Sequence, residues 1–353
     1  MNYHLLIVDE ISLRYHLEYG FIGTGNASDD FNIGLWKDIA RLKIGDKIIF
    51  YVQGIKKFYG CFQVSSKPFC DGNHHLQPQL MPFLGSEKNI KLRYRALIQP
   101  DIVFANGIDE FDLVDILPNN VTDILWSILY RKLKGGRGCS PLFLHEYNII
   151  RDKLFGLNYH SILYEKHFSF NGNQIQAQQP KVAYQGECTY PNIKHQILHS
   201  DYTEHHLHAL LIEHLPSIIF DGYPEWLGNE VYAGSGMQAI DILTICTTGT
   251  FNIIEIKKDE ILPNVTTQVS KYVQWLQNRF QIFEPHFFQP IIMGREIHGS
   301  QKKQFRVKEF QDFNQCGRTR PIKYFEYKCT NENILLTEVN YANNWAITQE
   351  QKI

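Results

Sequence analysis

Two carboxylates and one ammonium stand within two of the most apolar stretches of this chain. The runs 239–246 and 251–257 are rich in β-branched residues and are separated by Thr247-Thr248-Gly249-Thr250. That pattern predicts a β-hairpin with a four-residue loop. Asp241 falls near the start of the first strand, Glu255 and Lys257 near the end of the second. Strand side chains alternate between faces, so Glu255 and Lys257 project from one side. Folding about the loop sets Asp241 opposite residue 256, between those two. Charges on strands this hydrophobic are costly to bury without partners. A salt bridge needs one acid and one base. The second carboxylate points to a divalent metal, Mg²⁺ with Mn²⁺ as a substitute, held by Asp241 and Glu255. A metal beside a lysine suits phosphodiester hydrolysis, neutralising developing charge and lowering the pKa of a bound water. The plain alternative is an edge hairpin whose charges face water.

The surrounding elements must hold this ribbon in place. Upstream, TEHHLHALLIEHL (203–215) reads as a helix with Leu207, Leu210 and Leu211 on one stripe, capped by Thr203 or Asp201 and stopped by Pro216. Its histidines, 205, 206, 208 and 214, read as a solvent surface, because adjacent residues face different directions on a helix. His206 with His214, or His208 with a neighbour, could share a face. Short strands at 218–220 and 229–232 lead into the hairpin. After Pro263 a helix buries Val269, Val273 and Leu276 and carries Gln268 and Tyr272, four residues apart. Strands follow at 288–293, 324–327 and 334–339, and the last dozen residues are expected to fray. Arg295, Lys302, Lys303 and Arg306 form a candidate DNA-backbone patch.

Asp241 followed by Glu255-Ile256-Lys257 resembles the D…(D/E)xK signature of the PD-(D/E)xK nuclease superfamily. The run IDIL…IIEIKK…QVSKYVQWL is similar to the NucS/EndoMS-type domain, and Gln268 and Tyr272 match the Q-x-x-x-Y pair of RecB-like and NucS-like nucleases. Ile240 stands where the motif carries proline. The resemblance implies a restriction-endonuclease-like α/β domain over 201–345. Asp241 and Glu255 would ligate metal, Lys257 would orient the attacking water and Gln268 would position the site. Glu204 would be the helix glutamate that assists the metal or its water, and Tyr272 would support the helix face or touch the DNA backbone.

The first 155 residues read as a small β-rich domain. A strand at 3–8 is followed by a loop, GFIGTGNASDDFN, and a helix at 33–41. A hairpin at 47–64, a strand at 91–104, a helix at 125–133, the basic loop KLKGGRG and a helix at 144–154 complete it. The stretches GDKIIFYV…YGCFQV and LPNNVTDILW…GRGCSPLFLHEYNII resemble a PUA-like barrel of the EVE type. That superfamily commonly holds a modified or flipped base by aromatic stacking and contacts to the base edge. On that resemblance Trp36, Tyr51, Tyr59 and Trp126 are candidate walls, and Thr24 and Asn26 candidate edge readers. Each of these aromatics could equally be core. Lys132, Lys134 and Arg137 flank the glycine pair and could embrace a phosphate or simply face water.

Residues 156–200 are polar and Gln/Asn-rich and read as a linker. Composition fits an α+β and α/β chain of two domains: 353 residues, 44% hydrophobic and 20% charged. A net charge of −2 excludes a globally basic nucleic-acid coat, so any DNA contact uses local patches. The N-terminus does not read as a signal peptide, and no apolar run is long enough to span a bilayer. Seven scattered cysteines without a CxxC pair fit reduced thiols in the cytoplasm. The expected activity is that of a Mg²⁺-dependent endonuclease of the modification-dependent restriction type, with DNA carrying a modified base as partner. Two active sites are needed to cut both strands, so a homodimer is expected. The alternatives are a NucS-like repair endonuclease acting on mismatched or branched DNA, and a non-catalytic nucleic-acid-binding protein.

Overall fold

The computed structural model describes residues 1–26, 31–71, 91–114, 137–179, 188–220, 224–233, 238–261 and 263–353. They form two compact units, Met1–Pro191 and Asn192–Ile353, both of mixed α+β structure.

The first unit runs β1 (Tyr3–Val8), α1 (Glu10–Tyr19), β2 (Phe21–Asn26), α2 (Ile33–Ala40), β3 (Lys47–Val52), β4 (Lys57–Val64), β5 (Phe69–Asp71), β6 (Lys91–Pro100), β7 (Val103–Phe104) and β8 (Ile108–Asp109). It continues with α3 (Glu110–Val114), β9 (Cys139–Leu142), α4 (Leu144–Leu157), β10 (Ile162–Leu163), β11 (Phe168–Phe170), β12 (Ile175–Ala177) and β13 (Cys188–Thr189). Asp9 starts α1 by accepting the Ser12 N–H at 2.7 Å, and Gly20 ends it in the left-handed region, φ +64°. The main sheet runs β13-β5-β6-β4-β3-β1-β9, with β2 on β6 and β8 on β4. Leu5, Ile49, Tyr51, Phe58, Leu142 and Ile150 pack together in the core beneath it. Among the described residues this sheet does not close into the barrel expected from sequence. Its ends are two short strands, β9 on β1 and β13 on β5.

Two further expectations are corrected in this unit. The glycine-rich stretch after α1 is strand β2, paired from Phe21↔Leu97 to Asn26↔Lys91. Glycine and Asn are weak strand formers, but an existing partner strand outweighs that preference. The stretch 156–200, read from sequence as a linker with room for one short strand, carries more structure than that. It holds β10 paired with β7, β11 with β12 and β13 with β5. Phe168, Phe170 and Ile175 bury their side chains among the polar residues around them.

The second unit runs α5 (Ile193–His199), α6 (Glu204–His214), β14 (Pro224–Tyr232), β15 (Ala239–Cys246), β16 (Phe251–Ile256), α7 (Val265–Phe280), β17 (Phe288–Arg295), α8 (Ser300–Gln315), β18 (Lys323–Cys329), β19 (Ile334–Asn340) and β20 (Ala346–Lys352). Its seven strands lie side by side in chain order. β16, β17 and β18 are parallel, with α7 and α8 as the crossovers, and the other pairs are antiparallel. Val269, Tyr272, Val273 and Leu276 are the buried stripe of α7. Residues 218–220 form a turn after Pro216, whose carbonyl accepts both the Ile219 and Phe220 N–H groups, instead of the expected strand. The C-terminal residues do not fray, because the edge of β19 supplies the backbone partners that make β20. Among the described residues no helix is long and apolar enough to cross a membrane.

Candidate active site

β15 and β16 form the hairpin, closed by Cys246 and Thr250, with Ile242 opposite Ile254. That register puts Asp241 level with Glu255, one residue from the position inferred by counting around the loop. The two carboxylates face one another more directly than expected. The Ile256 N–H donates to Asp241 Oδ2 at 2.8 Å, which fixes that carboxylate against the end of β16.

Glu255 is fully buried, and its Oε1 lies 2.7 Å from Lys257 Nζ. Lys257 continues β16 along β17, its N–H donating to the Met293 carbonyl at 2.9 Å. The start of α6 delivers Glu204, whose Oε1 is 3.6 Å from Lys257 Nζ and whose Oε2 accepts the Lys258 N–H at 3.3 Å. Two carboxylates thus flank one ammonium, and Asp241 lies near enough to act on its charge. Burial, and after it the neighbouring Glu255, raises the Asp241 pKa well above the usual carboxylate range. Burial raises Glu255 as well, against the opposing pull of Lys257. Burial works against the Lys257 charge, but Glu255 and Asp241 outweigh it and raise its pKa.

Gln268 and Tyr272 occupy one face of α7, as their spacing predicts. Gln268 Nε2 donates to Tyr272 Oη at 2.6 Å, and Tyr272 Oη donates to the Ala239 carbonyl at 2.7 Å. The chain of bonds ties α7 to β15 two residues before Asp241. Tyr272 is buried, so the expectation that it touches the DNA backbone is corrected: its hydroxyl is spent inside the fold. Gly294 of β17 makes room for the turn after Lys257. A Cβ there would lie 2.5 Å from Ile261 Cγ1 and 3.3 Å from the Asp259 carbonyl, which accepts the Arg295 N–H at 3.1 Å.

One residue escaped the sequence reading. His208, assigned with its neighbours to a solvent surface, is buried, and its Nε2 stands 3.8 Å from Asp241 Oδ2. Ligand atoms of Glu204, His208 and Asp241 all lie within 4.8 Å of one another. The available signal was the i, i+4 spacing of Glu204 and His208, which puts both on one face of α6. The donor set fits a divalent cation, because carboxylate oxygens are hard ligands and a bound cation would offset both the burial of the Asp241 charge and its repulsion from Glu255.

The candidate backbone cations divide. Arg295 is exposed at the end of β17. Lys302 on α8 is 62% exposed and pairs with Glu260 at 2.5 Å, while Lys303 Nζ sits 5.4 Å from the centre of the Trp345 ring. Arg306 is no patch residue: its buried guanidinium donates to the Ile261 carbonyl and to Glu309. The sequence reading missed that Lys302, Lys303 and Arg306 lie on a helix. α8 buries only Arg306 and Phe310, so it lacks an apolar stripe to announce it.

In the first unit, Tyr51 and Tyr59 are core residues and not walls of a pocket. Both rings are fully buried; Tyr51 Oη donates to Glu110, and Tyr59 Oη to the Asn173 carbonyl at 2.7 Å. Trp36 is buried on α2, its ring centre 6.2 Å from that of Tyr94. Thr24 is buried on β2, and its Oγ1 meets no hydrogen-bond partner among the described residues. The backbone of Asn26 ends β2, and its side chain lies outside the described residues. Trp126, Lys132 and Lys134 also lie outside them. Arg137 is held by Asp38 through two contacts, Nε to Oδ2 at 3.1 Å and Nη2 to Oδ1, which is not the free phosphate cation expected.

No protein-family model matches this chain, and no curated protein does. Among solved structures, a hypothetical protein from Leishmania major aligns with 44% of this chain and 96% of its own, at 15% identity and a TM-score of 0.31. Human THYN1, solved in complex with DNA containing 5-methylcytosine, aligns with 44% of this chain and 98% of its own, at 11% identity and a TM-score of 0.28. A protein from Pseudomonas putida aligns with 43% of this chain and 99% of its own, at 11% identity and a TM-score of 0.27. Likeness this loose does not fix a fold.

Proposed function

We propose that Asn192–Ile353 is a metal-dependent phosphodiester hydrolase acting on DNA, and that Met1–Pro191 selects DNA carrying a modified base. The observation that supports the hydrolase is the pairing of Glu255 and Glu204 with the ammonium of Lys257, with Asp241 beside them, at the end of an apolar hairpin. Selection of a modified base rests on the resemblance of the first 155 residues to EVE-type modules.

Asp241 and Glu255, with Glu204 and His208 near Asp241, would hold a divalent ion that neutralises charge on the scissile phosphate and acidifies a water. Lys257 would orient that water and donate to a phosphoryl oxygen as charge develops. The Ile256 N–H holds Asp241 in one rotamer, and the Gln268–Tyr272–Ala239 chain keeps α7 registered against the strand that carries it. An imidazole near the carboxylates tilts the preference from Mg²⁺ towards Mn²⁺, a softer acceptor of nitrogen ligands. A double-strand break needs two such sites, hence two copies of the chain.

The test is cleavage, in Mg²⁺ and in Mn²⁺, of matched plasmids carrying cytosine, 5-methylcytosine, 5-hydroxymethylcytosine, glucosylated cytosine or N6-methyladenine. Cutting of one modified plasmid, lost in Asp241→Ala and Lys257→Ala, is expected. Equal cutting of all plasmids would overturn base selection. Preference for unmodified mismatched duplexes would turn the assignment to repair. Unchanged cutting in both variants would remove the site.

A further inference from the structure

Immediately outside the Asp241 centre lies a second group of metal-ligating side chains. His205 and His208 sit three residues apart on α6 and so share a face, their ring centres 5.7 Å apart. Glu230 of β14 reaches the same place, with Oε1 3.7 Å from His205 Nδ1. One ligand atom from each of the three lies within 4.8 Å of the other two. Glu230 has a left-handed backbone, φ +47°, inside a strand, a strained conformation for a residue other than glycine.

The geometry points to a binding site for a d-block divalent ion, of the Zn²⁺ or Co²⁺ class, formed by His205, His208 and Glu230. Two imidazoles and one carboxylate suit such ions, whereas Mg²⁺ takes oxygen ligands. His205 and Glu230 are half open to water, 46% and 28% exposed, while His208 is buried. One side of the site is therefore fixed by the fold, and the other leaves coordination positions for water. Tetrahedral bonds of about 2.0–2.1 Å put ligand atoms roughly 3.4 Å apart. From separations of up to 4.8 Å the side chains need to close by at most about 1.4 Å, a rotamer adjustment. The site shares His208 with the proposed Asp241 centre but uses neither Glu255 nor Lys257, and it stands whether or not this unit cuts DNA.

The test is direct binding to the chelator-stripped full chain, read by the visible absorption of Co²⁺ and by Zn²⁺ competition with a chromophoric chelator. Co²⁺ held by His205 and Glu230 is expected in the wild type, besides any ion held at the Asp241 centre. His205→Asn and Glu230→Gln should each weaken it by more than the roughly 10–100-fold that loss of an outer-sphere partner costs. Both residues reach the surface, so these variants fold. Asp241→Asn should leave the Co²⁺ signal in place. Survival of the signal in His205→Asn and Glu230→Gln, or its loss in Asp241→Asn alone, would overturn the site.

Discussion

Lys257 Nζ lies 2.7 Å from Glu255 Oε1, and that carboxylate is fully buried while the ammonium is 26% exposed. The lysine neutralises the acid from the solvent side and keeps N–H groups for something outside. Lys257→Met should therefore do two things. Cleavage should fall by at least about 10²-fold, the scale of losing a pre-placed donor to a developing charge. Glu255, left without its cation, should be protonated when folded, so the variant should lose stability as pH rises. Denaturant midpoints across pH 5–8 check this; a flat profile would count against the pairing.

Asp241→Asn separates stability from function. The folded chain binds the Asp241 proton more tightly than the unfolded chain does, because burial and Glu255 raise its pKa. Metal-free stability then falls as pH rises from the unfolded carboxylate value, about 4, through the raised folded value. The amide oxygen of Asn can still accept the Ile256 N–H. The variant should melt higher at neutral pH in chelator, on the order of a few degrees, while losing cleavage.

Metal binding should release protons. Asp241 and Glu255 both hold protons above their ordinary range when no cation is present, and a ligand must be deprotonated to bind. Mn²⁺ affinity should rise with pH, and calorimetry in two buffers of different ionisation enthalpy should show proton uptake by the buffer. Equal heats in the two buffers would contradict the coupling.

Tyr272→Phe removes one hydroxyl that joins Gln268 to the Ala239 carbonyl. It should cost about 1 kcal/mol, since the half-buried carbonyl loses its donor, and slow cleavage by loosening the strand that carries Asp241. The salt dependence of DNA binding should not change, because the buried hydroxyl neutralises no phosphate. A shallower salt slope would instead place Tyr272 on the backbone.

Tyr51→Phe and Tyr59→Phe should each destabilise the first unit by about 1 kcal/mol and leave any preference for a modified base unchanged, as both rings are in the core. Filter binding with modified and unmodified duplexes checks the second point. A changed preference would return them to a pocket.

What could be read from sequence here depended on how local its cause is. The convergence of Asp241, Glu255 and Lys257 follows from strand alternation and one short loop, and counting missed the register by one residue. Gln268 and Tyr272 share a face by helical spacing alone. His208 differs, because its burial is decided by what α6 packs against, which no local pattern encodes. Tyr51 and Tyr59 fail for the same reason: an aromatic in a strand has two faces, and only the packed structure says which is inside. α8 and β20 escaped because neither carries an apolar stripe. One is a polar crossover helix, and the other is an edge strand ordered by its neighbour's backbone.

The room left by Gly294 has a consequence for descent. An alanine there would need only a small change in the coding sequence, yet its methyl group would press on Ile261 and the Asp259 carbonyl, in the turn that follows Lys257. Such a chain would keep Asp241, Glu255, Lys257, Gln268 and Tyr272 and would still look armed to anyone comparing motifs. On the proposed reading, a lineage carrying it would lose activity from the neighbouring strand while its charged residues stayed in place.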